Sequence, residues 1–338
     1  QAPALVTSLP LGLLGGSLLF GPIVDRFGHK ALLLLSCLVV LLGLEGIAFF
    51  TSIPLLQVSI IGIGLGGGIL NGETNALVAD ISNEAEKGSR LSLLGAFYGI
   101  GALGIPVLLS FLSEYYSFEI ILQGTGMVML IGILFCLGIR FPAPKQPQGF
   151  PIKEGLGLLK ESSLLLLSFI LFFQSGIEGV CNNWTTLYLG QTTGIPENRA
   201  LIALTCMVAG LTVARLLLVV LFKKIKQETV LRTSLITAVA GFALLTFAPG
   251  FARAAIGMAL IGAGLASTFP VILSIIGSRY ASLSGTAFSV ALVIALIGQT
   301  LLNSLTGIIS QGYGIVVYPY MMIVSLLIML LLFKRSLK

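Results

Sequence analysis

The chain has 338 residues, of which 56% are hydrophobic and 9% charged, with 19 Lys and Arg against 13 Asp and Glu and a single histidine. A soluble domain carries about 25% charged residues, so this chain has too little polar surface to face water. Its mean hydropathy of +1.05 and its repeated apolar runs, each about 20 residues long, place it in a lipid bilayer. The net charge of +6 sits in short segments between apolar runs; that pattern marks topology, and no nucleic-acid partner is expected. Cys37, Cys136, Cys181 and Cys206 are scattered through apolar runs without metal-ligand or disulfide spacing. One histidine excludes a His-rich metal site, and no cofactor is expected.

In chain order, apolar runs occupy 3–24, 31–50, 55–79, 91–113, 118–139, 162–190, 199–222, 230–249, 252–278, 284–309 and 315–333. These eleven runs predict an all-α polytopic membrane protein. Between the fifth and sixth lies RFPAPKQPQGFPIKEGLGLLKES, rich in proline, glycine and lysine, which cannot span. The expected division is an N-terminal bundle at 1–140, a linker at 141–161 and a C-terminal bundle at 162–338. Lys and Arg gather on one side of the spans, at Arg26, Lys30, Lys87, Arg90, Arg140, Lys145, Lys153, Lys160, Lys223, Lys224, Lys226, Arg232, Arg279, Lys334, Arg335 and Lys338. The opposite loops hold only Arg199 and Arg253. This bias puts the linker and the C-terminus in the cytoplasm, with the plasma (inner) membrane as the expected location.

An internal repeat supports the count. IGIGLGGGIL at 61–70 resembles IGAGLASTFP at 261–270, with Ile61, Gly62, Gly64 and Leu65 matching Ile261, Gly262, Gly264 and Leu265 at an offset of 200. On that offset the partner of the 162–190 run falls before residue 1. Two six-helix halves, with the first helix absent from this sequence, are therefore expected.

GPIVDRFGHK at 21–30 resembles the loop signature G-x-x-x-D-R-x-G-R-K of the major facilitator superfamily. Gly21, Asp25, Arg26, Gly28 and Lys30 match, and His29 stands where arginine is usual. EKGSRLS, with Glu86, Lys87 and Arg90, resembles a second loop of that superfamily. GGGILNGETNALVAD resembles the fourth helix of its fucose, galactose and glucose symporter group, which includes sodium-dependent glucose transporter-like members. Asn75 matches that group's asparagine, while Asn71 stands where an acid is usual and Glu73 is displaced from it by two. SGIEGVCNNWTTLYL resembles the group's seventh helix, in which a glutamate precedes a tryptophan by six, as Glu178 precedes Trp184. The resemblance implies gating roles for Gly21, Asp25, Arg26, Gly28, Lys30 and Arg90, with Asp25 making charge and helix-end contacts that stabilise one access state. From the residues themselves, Gly21 permits close helix approach, Gly28 a tight turn, and Arg26 and Lys30 hold the turn inside.

Glu45, Glu73 and Glu178 lie within spans, where an ionisable group is costly and faces a cavity or a partner. Gln174, Glu178 and Asn182 follow at i, i+4 and i+8 and predict one polar stripe. Asn71 and Asn75 share a helix face, with Glu73 roughly opposite, and Gln299 and Asn303 pair in the same way. Two readings fit these groups: the lining of a midplane substrate site, or hydrogen bonding between helices. Amides donate and accept at once, which suits a hydroxyl-rich ligand. Trp184 offers either a face for a sugar ring or an ordinary packing aromatic. The substrate-site candidates are thus Asn71, Asn75, Gln174, Glu178, Asn182, Trp184, Gln299 and Asn303. Glu178 leads the ion-coupling candidates, ahead of Glu73 and Glu45, and Glu45 can alternatively meet Arg215 or a hydroxyl.

Several motifs fail on context. GIGLGG follows no strand, and close packing of small residues explains it better. NWT at 183–185 lies inside a span. There is no phosphate-binding G-x-x-x-x-G-K-[ST] and no nucleophile elbow, so an enzyme is not expected. The expected function is secondary transport of a sugar-like solute by alternating access, coupled to H⁺ or Na⁺, by a monomer in the bilayer. A drug or metabolite exporter of the same superfamily is the alternative, and a non-transporting membrane sensor stands behind it.

Overall fold

The structure is a computed structural model that describes residues 2–146, 152–247 and 250–336. Its helices are α1 (Ala2–Phe27), α2 (His29–Phe49), α3 (Ile53–Asp80), α4 (Lys87–Leu112), α5 (Phe118–Gly138), α6 (Ile152–Leu158) and α7 (Ser162–Thr193). They continue with α8 (Glu197–Leu221), α9 (Gln227–Phe247), α10 (Phe251–Leu265), α11 (Thr268–Arg279), α12 (Ser284–Tyr313) and α13 (Tyr318–Ser336). Among the described residues no strand occurs, and eleven spans are long and apolar enough to cross a membrane. That number is the one the apolar runs predict. Parts of the expected segments lie outside the described residues: Gln1 of the N-terminal bundle, 147–151 of the linker, the last two residues of the 230–249 run, and 337–338 at the end of the C-terminal bundle.

Two details depart from the sequence reading. The run at 252–278 is not one helix; it breaks at Ala266–Ser267 between α10 and α11. Pro270 accounts for the break, because it donates no N–H and its ring collides with the carbonyl four residues earlier. The turn at 21–30 is also far shorter than a loop. Helix continues through Phe27, and only Gly28 leaves it, at φ +80, a conformation that side chains with a Cβ rarely adopt.

The chain divides into two compact units. The first comprises Gln1–Ile81, Ile105–Lys160 and Gly277–Val293, and the second Ser82–Gly104, Glu161–Ile276 and Ile294–Lys338. In the first, α1 and α3 cross backbone to backbone along glycines. A Cβ at Gly12 or Gly16 would run into the Ile61 or Leu65 carbonyl, and one at Gly64 or Gly68 into the Leu9 or Leu13 carbonyl. Lipid tails are as apolar as leucine, so helices in a bilayer associate through such close packing rather than through the hydrophobic effect. Gly66, on another face of α3, lies against Ser36 and Val40 of α2.

The second unit repeats this seam. Gly262 of α10 meets Met207 and Leu211 of α8, as Gly64 meets Leu9 and Leu13; Gly264 meets Ser234 and Ala238 of α9, as Gly66 meets Ser36 and Val40. Gly210 against Ala259 and Gly241 against Gly257 likewise answer Gly12 against Ile61 and Gly43 against Ser59. Every pair is 198 positions apart, which corrects the offset of 200. The motif IGIG repeats every two residues, so the sequence matches in both registers, and packing selects Ile63–Gly64 with Ile261–Gly262.

Gly64→Val should therefore cost on the order of 2 kcal/mol through overpacking and lower the thermal midpoint in detergent. Gly132, with nothing within 4 Å of a Cβ, should accept alanine with no loss.

Candidate functional site

In the first unit, polar chemistry gathers where α1 gives way to α2. Asp25 is 2% exposed. Its carboxylate accepts hydrogen bonds from the backbone N–H groups of Gly285 (3.2 Å) and Thr286 (2.8 Å) and from the Thr286 hydroxyl (2.6 Å). These N–H groups belong to the first turn of α12, where helices leave donors unpaired and carry partial positive charge. Gly21, one turn before Asp25, makes the approach possible, since a Cβ there would meet the Gly285 carbonyl at 2.5 Å. Lys30 answers the opposite pole of another helix, donating to the carbonyls of Leu137 (2.8 Å) and Ile139 (3.1 Å) at the end of α5. Arg26 lies over the Phe27 ring at 5.3 Å.

His29 occupies the centre of this region and is almost fully buried. Nδ1 lies 2.8 Å from Glu73 Oε1 and Nε2 lies 3.0 Å from Asp80 Oδ2. The two carboxylates come from one helix, seven residues and so about two turns apart, which puts both on the same face of α3. Asp80 also receives the Lys145 ammonium at 2.7 Å and the Ser284 hydroxyl at 2.9 Å. Glu73 is fully buried, on the face away from Asn71 and Asn75. Asn71 is exposed and Asn75 half-exposed, and the Asn75 amide donates to the Asn71 carbonyl at 2.7 Å. Glu45 is half-buried, with Oε1 against Gly126 of α5, where a side chain would leave it no room.

In the second unit the predicted stripe does not share one environment. Gln174 is fully buried and donates to the Leu265 carbonyl at 3.2 Å, Glu178 is half-buried, and Asn182 is exposed. Successive i+4 steps drift by about 40° around a helix, enough to carry the stripe from the protein interior to the surface in two steps. The Leu265 carbonyl ends α10 at its break, so Gln174 satisfies a group that the break orphans. Beside Asn182, Asn183 donates to Asn303 Oδ1 at 2.9 Å, and the Asn303 amide donates to the Gln299 carbonyl at 2.7 Å. The Gln299 side chain lies over Gly179, and the Trp184 ring over Gly307. Asn183, Trp184, Leu187, Asn303 and Ser304 line an open depression of about 380 Å³.

Arg90, near the start of α4, is exposed and pairs with Glu86 at 2.7 Å. Arg215 is 7% exposed and donates to the Gly95 carbonyl at 3.0 Å, across a glycine that leaves space for its stem. Sequence reading overlooked Asn183, Asp80 and Lys145 as site residues. It also noticed His29 only as a departure from a motif. The one available signal was the spacing of Glu73 and Asp80, two acids on one face of an apolar helix.

The chain is 24% identical over 330 residues to the glucose/mannose transporter GlcP of Bacillus subtilis, covering 89% of this chain and 79% of that one. It is 30% identical over 168 residues to the multidrug resistance protein MdtH of Aeromonas hydrophila, covering 49% and 41%. The crystal structure of the E. coli fucose:proton symporter FucP superposes with a TM-score of 0.86 at 18% identity, over 99% of this chain and 90% of that one. The sequence description of the Major Facilitator Superfamily matches residues 1–301. With eleven apolar spans and this fold, the chain belongs to the Major Facilitator Superfamily, a family of membrane transporters and not of enzymes.

Proposed function

We propose that the protein is a secondary active transporter for a sugar or a similar polar solute, working by alternating access and coupled to H⁺ or Na⁺. The observation that carries this reading is the pair of amides Asn183 and Asn303 beside Trp184, with Gln299 one turn before Asn303 and Glu178 on the Trp184 helix. Amides left open at membrane depth are costly unless they face water or a polar ligand. Here they donate and accept beside an indole face, a combination suited to a hydroxylated ring. The fold likeness to a fucose:proton symporter and the full-length likeness to a glucose/mannose transporter support the same reading. The coupling carboxylate is drawn from Glu178, Glu73 and Glu45. Asn71, Asn75, Gln174 and Asn182 complete the proposed substrate surface, and Gly21, Asp25, Arg26, Gly28, Lys30 and Arg90 the gate.

The bundles at 1–140 and 162–338 are the proposed moving bodies, joined by the linker at 141–161. A monomer in the plasma membrane, with linker and C-terminus cytoplasmic, completes the picture. A second reading, export of a drug or metabolite, draws on the partial likeness to MdtH.

Trp184 is the sole tryptophan, so intrinsic fluorescence in detergent reports this site alone. L-Fucose, D-glucose or D-mannose should change the emission saturably. Asn303→Ala should weaken that response by roughly tenfold, the equivalent of one or two lost hydrogen bonds. A response to apolar cations with none to sugars would establish the exporter reading instead. In proteoliposomes, loss of gradient-driven accumulation in Glu178→Gln with exchange spared assigns the coupling role to Glu178, and unchanged accumulation removes Glu178 from it. Asp25→Asn leaves an amide where a carboxylate holds the start of α12. It should slow turnover by about tenfold, in line with about 1–2 kcal/mol for a charged helix cap, and leave the fluorescence-measured affinity within about twofold.

A further inference from the structure

Each ring nitrogen of His29 faces a carboxylate oxygen, Glu73 Oε1 at 2.8 Å and Asp80 Oδ2 at 3.0 Å. Each contact needs one hydrogen between nitrogen and oxygen. A neutral imidazole carries only one such hydrogen. The arrangement is therefore complete only when it holds one proton more than a neutral imidazole between two carboxylates. Held on the ring, that proton makes an imidazolium, which donates to both carboxylates.

Charge counting leads to the same place. Among the described residues, the charged groups that bear on this cluster include Asp25 from α1, Glu73 and Asp80 from α3, and Lys145 from the linker; α12 contributes the uncharged Ser284 hydroxyl. Asp25 is answered by its three donors at the start of α12. With the extra proton, Lys145 and the ring offset Glu73 and Asp80, and the one negative charge left over is that of Asp25, held by its donors. Without it, a buried net negative charge and a broken hydrogen bond remain, and both are costly in apolar surroundings.

The cluster is also graded in exposure. The Glu73 side chain is fully buried and its Oε2 has no hydrogen-bond partner among the described residues, whereas the Asp80 side chain is 11% exposed at the end of α3. An imidazole can accept a proton at one nitrogen and release one from the other. It thus links a slightly exposed carboxylate to a fully buried one. The architecture itself does not demand these groups, because the positions 198 later carry Gln227, Val271 and Ser278.

We propose that His29, Glu73 and Asp80 form a proton-binding site, and that the proton bound there is the coupling cation of transport. Proton loss changes the hold of Asp80 on Ser284 and Lys145, and so on the first turn of α12. This rests on the reading of the chain as an ion-coupled transporter, and it names both the ion and a location apart from Glu178.

The single histidine makes the test direct. In the intact protein labelled with ¹⁵N-histidine, the two nitrogen shifts report one imidazole and its protonation. They should move together between about pH 5 and 9, and Glu73→Gln should shift that transition. Asp80→Asn carries the same test if Glu73→Gln does not fold. In proteoliposomes, His29→Asn should reduce pH-driven accumulation of L-fucose or D-glucose by roughly tenfold while exchange persists. Shifts that stay constant across the pH range, or full pH-driven accumulation by His29→Asn, overturn the proposal. The nitrogen shifts need no substrate. A chain that moves neither sugar therefore sinks the sugar reading, while the titration still decides the proton site.

Discussion

Inside a bilayer no water is available to hydrogen-bond a peptide group, and the rest of this structure follows from that constraint. It forces the chain into helices, and it makes each interruption of a helix a local problem with a visible answer. Where the run at 252–278 breaks just before Pro270, the Gln174 amide donates to the Leu265 carbonyl at the end of α10. Where Gly28 interrupts the first long helical stretch, Lys30 and Asp25 close the ends of two other helices. Polar side chains in the spans therefore divide into those that repair backbone and those left over for chemistry. Gln174 serves the first purpose, whereas the amides around Trp184 keep capacity to spare.

The same solvent weakens the usual reason for helices to associate. Apolar side chains gain little by leaving lipid for protein, so contact depends on how closely backbones approach. Glycines at 12, 16, 64 and 68 make that approach in the first unit, and glycines at 210 and 262 in the second. Agreement of these contacts at one spacing of 198 shows two copies of one packing scheme. The copies differ in their ionisable residues. His29, Glu73 and Asp80 have no charged counterparts in the second copy, where the matching positions hold Gln227, Val271 and Ser278. Packing is thus the repeated part of the design, and charge is the part that has been specialised.

Much of this was legible before any coordinates. Charge scarcity and eleven apolar runs are enough for a polytopic helical protein, because the bilayer permits little else. GPIVDRFGHK is readable for a similar reason: a charged cluster between two spans must sit at a membrane surface, and its glycines must serve bends or close contacts. The repeat was visible as well, but its register was not. IGIG matches itself at a shift of two, and only the carbonyls facing Gly64 and Gly262 separate 198 from 200. The stripe Gln174–Glu178–Asn182 was legible as a helix face, yet its slow rotation across the protein surface depends on what packs beside it.

The sequence by itself therefore determined the solvent, the helical class, the number of spans and the family signature, since each depends on composition or short-range order. Tertiary structure alone decided which polar groups meet. Asp25 finds α12 some 260 residues away, and His29 finds two acids 44 and 51 residues distant. Such meetings are set by how helices cross, and a crossing depends on backbone approach that no single segment encodes. The histidine that looked like a lapse in a motif becomes, once α3 is placed beside it, the centre of the most concentrated charge in the first unit.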